Sequence, residues 1–135
     1  MSATLLSLLG FLSWTLALLL LMEGIRTKLV LTGEVPANGF SPDNAGQSAF
    51  MQRLARAHSN CLEGLPLFGG FMVLAVVAGK SQVTDPLAYA FLAARIVQSV
   101  IHLSSVSPAA VTFRFTAFAV QMGIAAYWTF RLYAG

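Results

Sequence analysis

Apolar residues run almost unbroken from Ala3 to Met22, and the stretch Glu23-Gly24-Ile25-Arg26 follows directly. About 20 apolar residues cross a bilayer as helix, so this run reads as a first span. No basic residue precedes it and no small-x-small pattern follows it, which favours a retained span over a cleaved signal peptide. From Thr27 to about Gln47 the pattern dissolves into turn formers (Thr32-Gly33, Pro36, Asn38-Gly39, Ser41-Pro42-Asp43-Asn44, Gly46) and predicts an extramembrane loop. Ser48 to Gly79 reads as one long helix, charged from Arg53 to Glu63 and apolar beyond. Pro66 is positioned to kink it, and Gly69, Gly70, Ala75 and Gly79 allow close helix approach. A third helix opens at Asp85-Pro86 and ends at Leu103, and a fourth opens at Ser107-Pro108 and ends near Tyr133. Each start pairs an N-cap residue with proline at the first helical position.

The expected fold is all-α: one integral membrane four-helix bundle over residues 1–135, with loops of roughly 25, 6 and 4 residues. The two short loops make consecutive helices antiparallel neighbours. Composition agrees, because the chain is 57% hydrophobic and 10% charged, whereas a soluble domain is about a quarter charged. A net charge of +3, scattered along the chain, excludes a nucleic-acid surface. The single cysteine, Cys61, excludes an intrachain disulfide and a cysteine-only metal site, and reads as a small packing residue. Basic residues set the orientation. Arg26, Lys28, Arg53 and Arg56 flank the first loop, against Lys80 and Arg131 on the opposite side. Loops one and three are therefore expected in the cytoplasm and both termini outside.

With so few charges, their depths are informative. Nine residues into the expected third helix, Arg95 lies about 13 Å deep, near the bilayer middle. Counted from Lys80, Glu63 lies about 25 Å along the second helix, just inside the cytoplasmic boundary, and Arg114 lies about 9 Å below that boundary. His102 closes the third helix on the same side, and Glu23 with Arg26 closes the first. Arg56, Asn60 and Glu63 stand at i, i+4 and i+7, and Arg95, Gln98, Ser99 and His102 at i, i+3, i+4 and i+7. Each set forms one stripe on a helix face, and ionisable groups within spans face a bundle interior and mark functional paths. A structural ion pair between Glu63 and Arg95 is the plainer alternative. Counting Arg26, Arg56, Arg95 and Arg114 against Glu63 and Glu23, the expected pocket is net cationic and suits an anionic, peptide-like ligand. His58 and His102 are read as hydrogen-bonded or interfacial rather than as haem ligands, and no metal site is expected. Trp14, Tyr127, Trp128 and Tyr133 are expected at the interface or toward lipid.

The stretch Arg56-Ala57-His58-Ser59-Asn60-Cys61-Leu62-Glu63, an apolar span, and then Arg95-Ile96-Val97-Gln98-Ser99-Val100-Ile101-His102 strongly resemble the MAPEG family, membrane proteins of eicosanoid and glutathione metabolism. The resemblance covers essentially the whole chain. It implies a homotrimer that takes glutathione as cosubstrate between subunits, on the cytoplasmic half, while a lipophilic electrophile approaches through the lipid bilayer. By that resemblance Asn60, Glu63 and Arg95 match glutathione-binding residues, Arg26 matches an arginine ending the first helix, and Arg114 stands where a fourth-helix arginine contacts the thiol. Arg56, Gln98 and His102 complete the expected binding set. Ser59 replaces an arginine of several members, Gln98 a histidine, His102 a tyrosine and Phe118 a tyrosine. These departures point away from prostaglandin or leukotriene synthesis and toward a bacterial-type transferase, with peroxidase activity as a possible addition. The implied place is a bacterial inner membrane with periplasmic termini and a cytoplasm-facing site.

The chemistry fits the residues independently. Glutathione carries two carboxylates, an ammonium and a thiol, and a partly desolvated arginine such as Arg114 stabilises a thiolate because it cannot lose its own proton. Two other classes share the four-helix count. A small dimeric multidrug exporter needs an acidic residue within its first span, whereas Glu23 ends that span and the arginines would repel cationic drugs. A non-catalytic membrane scaffold would keep the fold without turnover.

Overall fold

The computed structural model describes residues 1–135 and contains only helices. Helix α1 spans Ala3–Leu31, α2 Ala49–Gly64, α3 Gly70–Val77, α4 Ser81–Ser104 and α5 Pro108–Ala134. A π-helical turn, Leu65–Gly69, joins α2 to α3. Counting α2, the turn and α3 as one unit, four helices are long and apolar enough to cross a membrane. The kink expected at Pro66 takes this form: proline lacks the amide hydrogen that would continue the α-ladder, so the turn widens locally. The unit closes at Gly79, whose φ of +69° suits glycine. There the Lys80 amide donates back to the Ala75 carbonyl at 2.7 Å.

Two boundaries differ from the sequence expectation. Helix α1 continues to Leu31, so the Thr27 region is helical and the loop occupies only residues 32–48. The apolar run Ile25, Leu29, Val30, Leu31 and the absence of any breaker before Gly33 account for the extra turns. Helix α4 begins at Ser81, four residues before the expected cap. Pro86 is tolerated because it lies near the amino end, where it withholds a single ladder bond.

Asp85 is consequently used elsewhere. Its Oδ1 accepts from the Thr4 amide at 2.9 Å and from Thr4 Oγ1 at 2.6 Å, so it caps α1 from the neighbouring helix. Ser2 Oγ accepts from the Leu5 amide at the same end. Replacing Asp85 with Ala orphans the Thr4 amide, while the Thr4 hydroxyl keeps Thr84 Oγ1 as a partner, and is expected to cost about 1 kcal/mol of stability, with Asp85→Asn costing less. Thermal melts in detergent followed by circular dichroism measure this, and identical melts for wild type and Asp85→Ala would remove the inter-helix cap.

Helix α4 sits at the centre and packs on every other helix. α1 turns Thr4, Ser7, Phe11, Thr15, Leu18 and Met22 inward, a stripe at three- and four-residue spacing, and leaves Leu9, Leu12, Leu16 and Leu20 exposed. A helix apolar all round whose exposed side is leucine suits lipid or another subunit, and its small inward residues let helices approach. At mid-height Phe11, Phe68, Phe91 and Trp128 form one aromatic cluster, with Phe68 and Phe91 centroids 5.0 Å apart. Trp128 is fully buried there, which corrects its expected interfacial place. Its ring, tilted against Phe91 with centroids 5.8 Å apart, fills the α4–α5 seam.

Candidate functional site

At the end of the bundle near the first loop, the polar stripes of α2 and α4 meet the start of α5. Asp43, Arg56, Asn60, Glu63, His102 and Arg114, with Ser59 beside them, line one cavity of about 330 Å³. Five of the sequence-selected residues, Arg56, Asn60, Glu63, His102 and Arg114, are thus brought to a single cavity from three helices.

The α4 stripe forms the inner wall: Arg95, Gln98, Ser99 and His102 are all buried, and Arg95 is 0% exposed. The Arg95 guanidinium lies between the rings of Phe11 and Phe68, 5.2 and 5.6 Å from their centroids, and Nη1 donates to Asn60 Oδ1 at 2.6 Å. Its Nε and Nη2 have no hydrogen-bond partner in the chain. The Glu63–Arg95 ion pair does not form; Arg26 with Glu23, at 2.9 Å, is the only salt bridge. Aromatic faces and an amide dipole hold the buried cation in place of a carboxylate. Gly64 makes this possible, since a Cβ there would lie 2.8 Å from Arg95 Nη2. Glu63, released from any structural pair, is exposed at the cavity.

Arg95 and Gln98 reach the cavity through Asn60 rather than lining it. Gln98 Nε2 donates to Asn60 Oδ1 at 3.0 Å, and Gln121 Nε2 donates to Gln98 Oε1 at 2.8 Å. Ser99 lies 3.2 Å from Cys61 Sγ, which is fully buried in the core as its packing role requires.

Arg26 is placed apart from the cavity. Its Nε and Nη2 donate to Asn44 Oδ1, Nη2 also donates to the Ser41 carbonyl, and Phe40 lies beneath its guanidinium. Asn44 in turn donates from Nδ2 to the Met51 carbonyl at 2.7 Å. Its φ of +58° is one that asparagine tolerates better than most residues. Arg26 and Asn44 therefore tie the loop to α1 and α2, and that tie holds the adjacent Asp43 at the cavity. The Asp43 carboxylate accepts from Ser41 Oγ at 2.7 Å and from the Ala45 amide at 3.0 Å, and these bonds hold its pKa below the usual carboxylate range. Arg56 and Arg114 share the cavity lining with Asp43 and Glu63, so the lining residues balance in charge and the expected cationic surplus shrinks to the unpaired Arg95 behind Asn60. The arrangement suits a zwitterion, a ligand with both carboxylates and an ammonium.

Asp43, Asn44 and Gln121 were not legible as site residues. Asp43 and Asn44 read as turn formers inside Ser41-Pro42-Asp43-Asn44. Gln121 carried a usable signal: it is polar within an apolar span and stands seven residues beyond Arg114, on the same helix face.

A family model described as the MAPEG family matches residues 3–134. No curated protein and no solved structure matches the chain.

Proposed function

Since the chain belongs to the MAPEG family, we propose that it is a glutathione transferase that adds the glutathione sulfur to a lipophilic electrophile. Its four apolar helices and its family make it an integral membrane protein. The observation that carries the proposal is the convergence of Arg56, Asn60, Glu63, His102 and Arg114 on one cavity beside Asp43. Glutathione fits this donor set: Arg56 and Arg114 complement its carboxylates and its developing thiolate, and Glu63 with Asp43 complements its ammonium. Asn60 offers an amide to a carboxylate or peptide carbonyl.

The thiol of glutathione supplies the nucleophile. Arg114, half-buried and six residues into α5, places a permanent cation where the thiolate forms, so the proton is lost more readily. As the carbon–sulfur bond forms, the electrophile either takes up a proton or releases its leaving group with the bonding electrons. No protein nucleophile is required.

A homotrimer is part of the same reading. The cavity stays open at Glu63 and the leucine face of α1 stays bare, so a neighbouring copy would both close the site and cover apolar surface. Arg26, Lys28, Arg53 and Arg56 gather at the loop end of the bundle, and the positive-inside rule puts that end and the site in the cytoplasm. In a bacterial inner membrane the termini would then be periplasmic.

Glu63→Gln removes the charge facing the ammonium and is expected to weaken glutathione binding about ten-fold, with Asp43→Asn weakening it less because water reaches that loop. The maximal turnover should change less than the affinity. Isothermal titration of glutathione into the detergent-solubilised protein checks this, and equal affinities for wild type and both variants would overturn the assignment of the ammonium.

A further inference from the structure

Four polar side chains, Asn60 at the cavity wall and three behind it, form a chain of hydrogen bonds whose direction is fixed at both ends. On α5, Gln121 Nε2 donates to the Ala117 carbonyl at 3.1 Å and to Gln98 Oε1 at 2.8 Å. The Ala117 carbonyl only accepts, so the Gln121 amide cannot be flipped without setting two acceptors against its Oε1. Gln98 must then present Oε1 to Gln121 and Nε2 to Asn60, where it donates to Oδ1 at 3.0 Å. At the far end Arg95 can only donate, and it reaches the same Asn60 Oδ1 at 2.6 Å. Two donors on one oxygen leave Asn60 a single orientation. Its Nδ2, which makes no bond within the chain and is not among the buried atoms without partners, is left accessible at the cavity.

The chain of bonds carries a cost that a packing role would avoid. Gln121 is fully buried, and its Oε1 has no partner. A leucine at that position would fill the space without burying an unpaired oxygen. What the glutamine contributes beyond volume is its pair of donated bonds, which impose the polarity of Gln98.

We propose that Gln121 is a positioning residue that, through Gln98 and jointly with Arg95, locks Asn60 as a donor, so that the ligand group bound beside α2 is a hydrogen-bond acceptor. The identity of that acceptor as a carboxylate or peptide carbonyl of glutathione rests on the function proposed above. The lock itself does not.

The test has an arm for each. In the ligand-free protein labelled with ¹⁵N on asparagine and held in detergent micelles, the Asn60 side-chain amide signals, assigned by their loss in Asn60→Ala, are compared between wild type and Gln121→Leu. The expected result is a clear shift, with Gln98→Leu moving the same signals. Glutathione affinity is then measured for Gln121→Leu, Asn60→Ala and the double variant. Gln121→Leu should weaken binding about five-fold, the equivalent of one neutral hydrogen bond. In the Asn60→Ala background it should add nothing, because the residue it positions is gone. Unmoved Asn60 signals in both Gln121→Leu and Gln98→Leu would overturn the lock. An equal, additive loss in the Asn60→Ala background would also overturn it, by showing that Gln121 acts through the fold at large. Shifted signals with no glutathione binding by wild type would uphold the lock and overturn the function instead.

Discussion

Replacing Arg114 with alanine is expected to lower turnover ten- to a hundred-fold while weakening glutathione binding far less. The residue stands at the start of α5, half-buried at the cavity, with no carboxylate bonded to it. A partly desolvated cation acts on nearby charge with little screening. Losing one charge-assisted contact to a developing thiolate costs about 1.5–3 kcal/mol, which is the stated range in rate. Binding is buffered because Arg56, Asn60 and Glu63 still hold the peptide part. The direction with pH follows from the same cause. A stabilised thiolate has a lowered pKa, so wild-type turnover should persist to lower pH than that of Arg114→Ala, whose profile moves toward that of the free thiol. The profile of maximal turnover against pH measures the effect. Coincident profiles and equal turnover for the two proteins would pass the thiolate role to another donor that lines the cavity, with Arg56 or Ser59 next in line.

The second large effect concerns Arg95, where fold and function should separate. A buried cation without a carboxylate partner in a membrane-spanning helix is costly, and the flanking rings of Phe11 and Phe68 and the Asn60 amide offset only part of that. Methionine keeps the apolar stem volume without the charge, so Arg95→Met is expected to unfold at the same temperature as wild type or a higher one. Glutathione affinity should nevertheless fall about ten-fold, because Asn60 loses its strongest donor. Paired thermal melts and titrations measure this. A variant that melts well below wild type yet binds equally would make Arg95 a structural cation rather than part of the site.

Much of this was legible in the sequence because the bilayer makes polarity conspicuous. Within apolar spans the stripe Arg95, Gln98, Ser99, His102 stood out by spacing alone, and all four residues are buried together. Arg56, Asn60 and Glu63 likewise share one face. The cap at Ser107 and the turn at Pro66 followed from residue chemistry that acts locally. What stayed hidden depended on contacts between distant segments. Asp85 has the chemistry of a cap, but the sequence does not say which helix it caps, and it serves α1, 81 residues earlier. Arg26 has the charge of a ligand-binding residue, yet loop closure through Asn44 consumes its donors. Opposite charge on two polar stripes made Glu63 and Arg95 look like partners. Gly64 and the two phenylalanines instead created a place where the guanidinium needs no carboxylate.

The central claim is that this cavity binds glutathione and holds its sulfur as thiolate. The most direct measurement is the ultraviolet difference spectrum of the solubilised protein on adding glutathione at a pH well below that of free thiol ionisation. The account predicts a saturable thiolate band that is lost on adding an electrophile and absent from Arg114→Ala. Saturable binding with no thiolate band in wild type, or no binding at all, would contradict it.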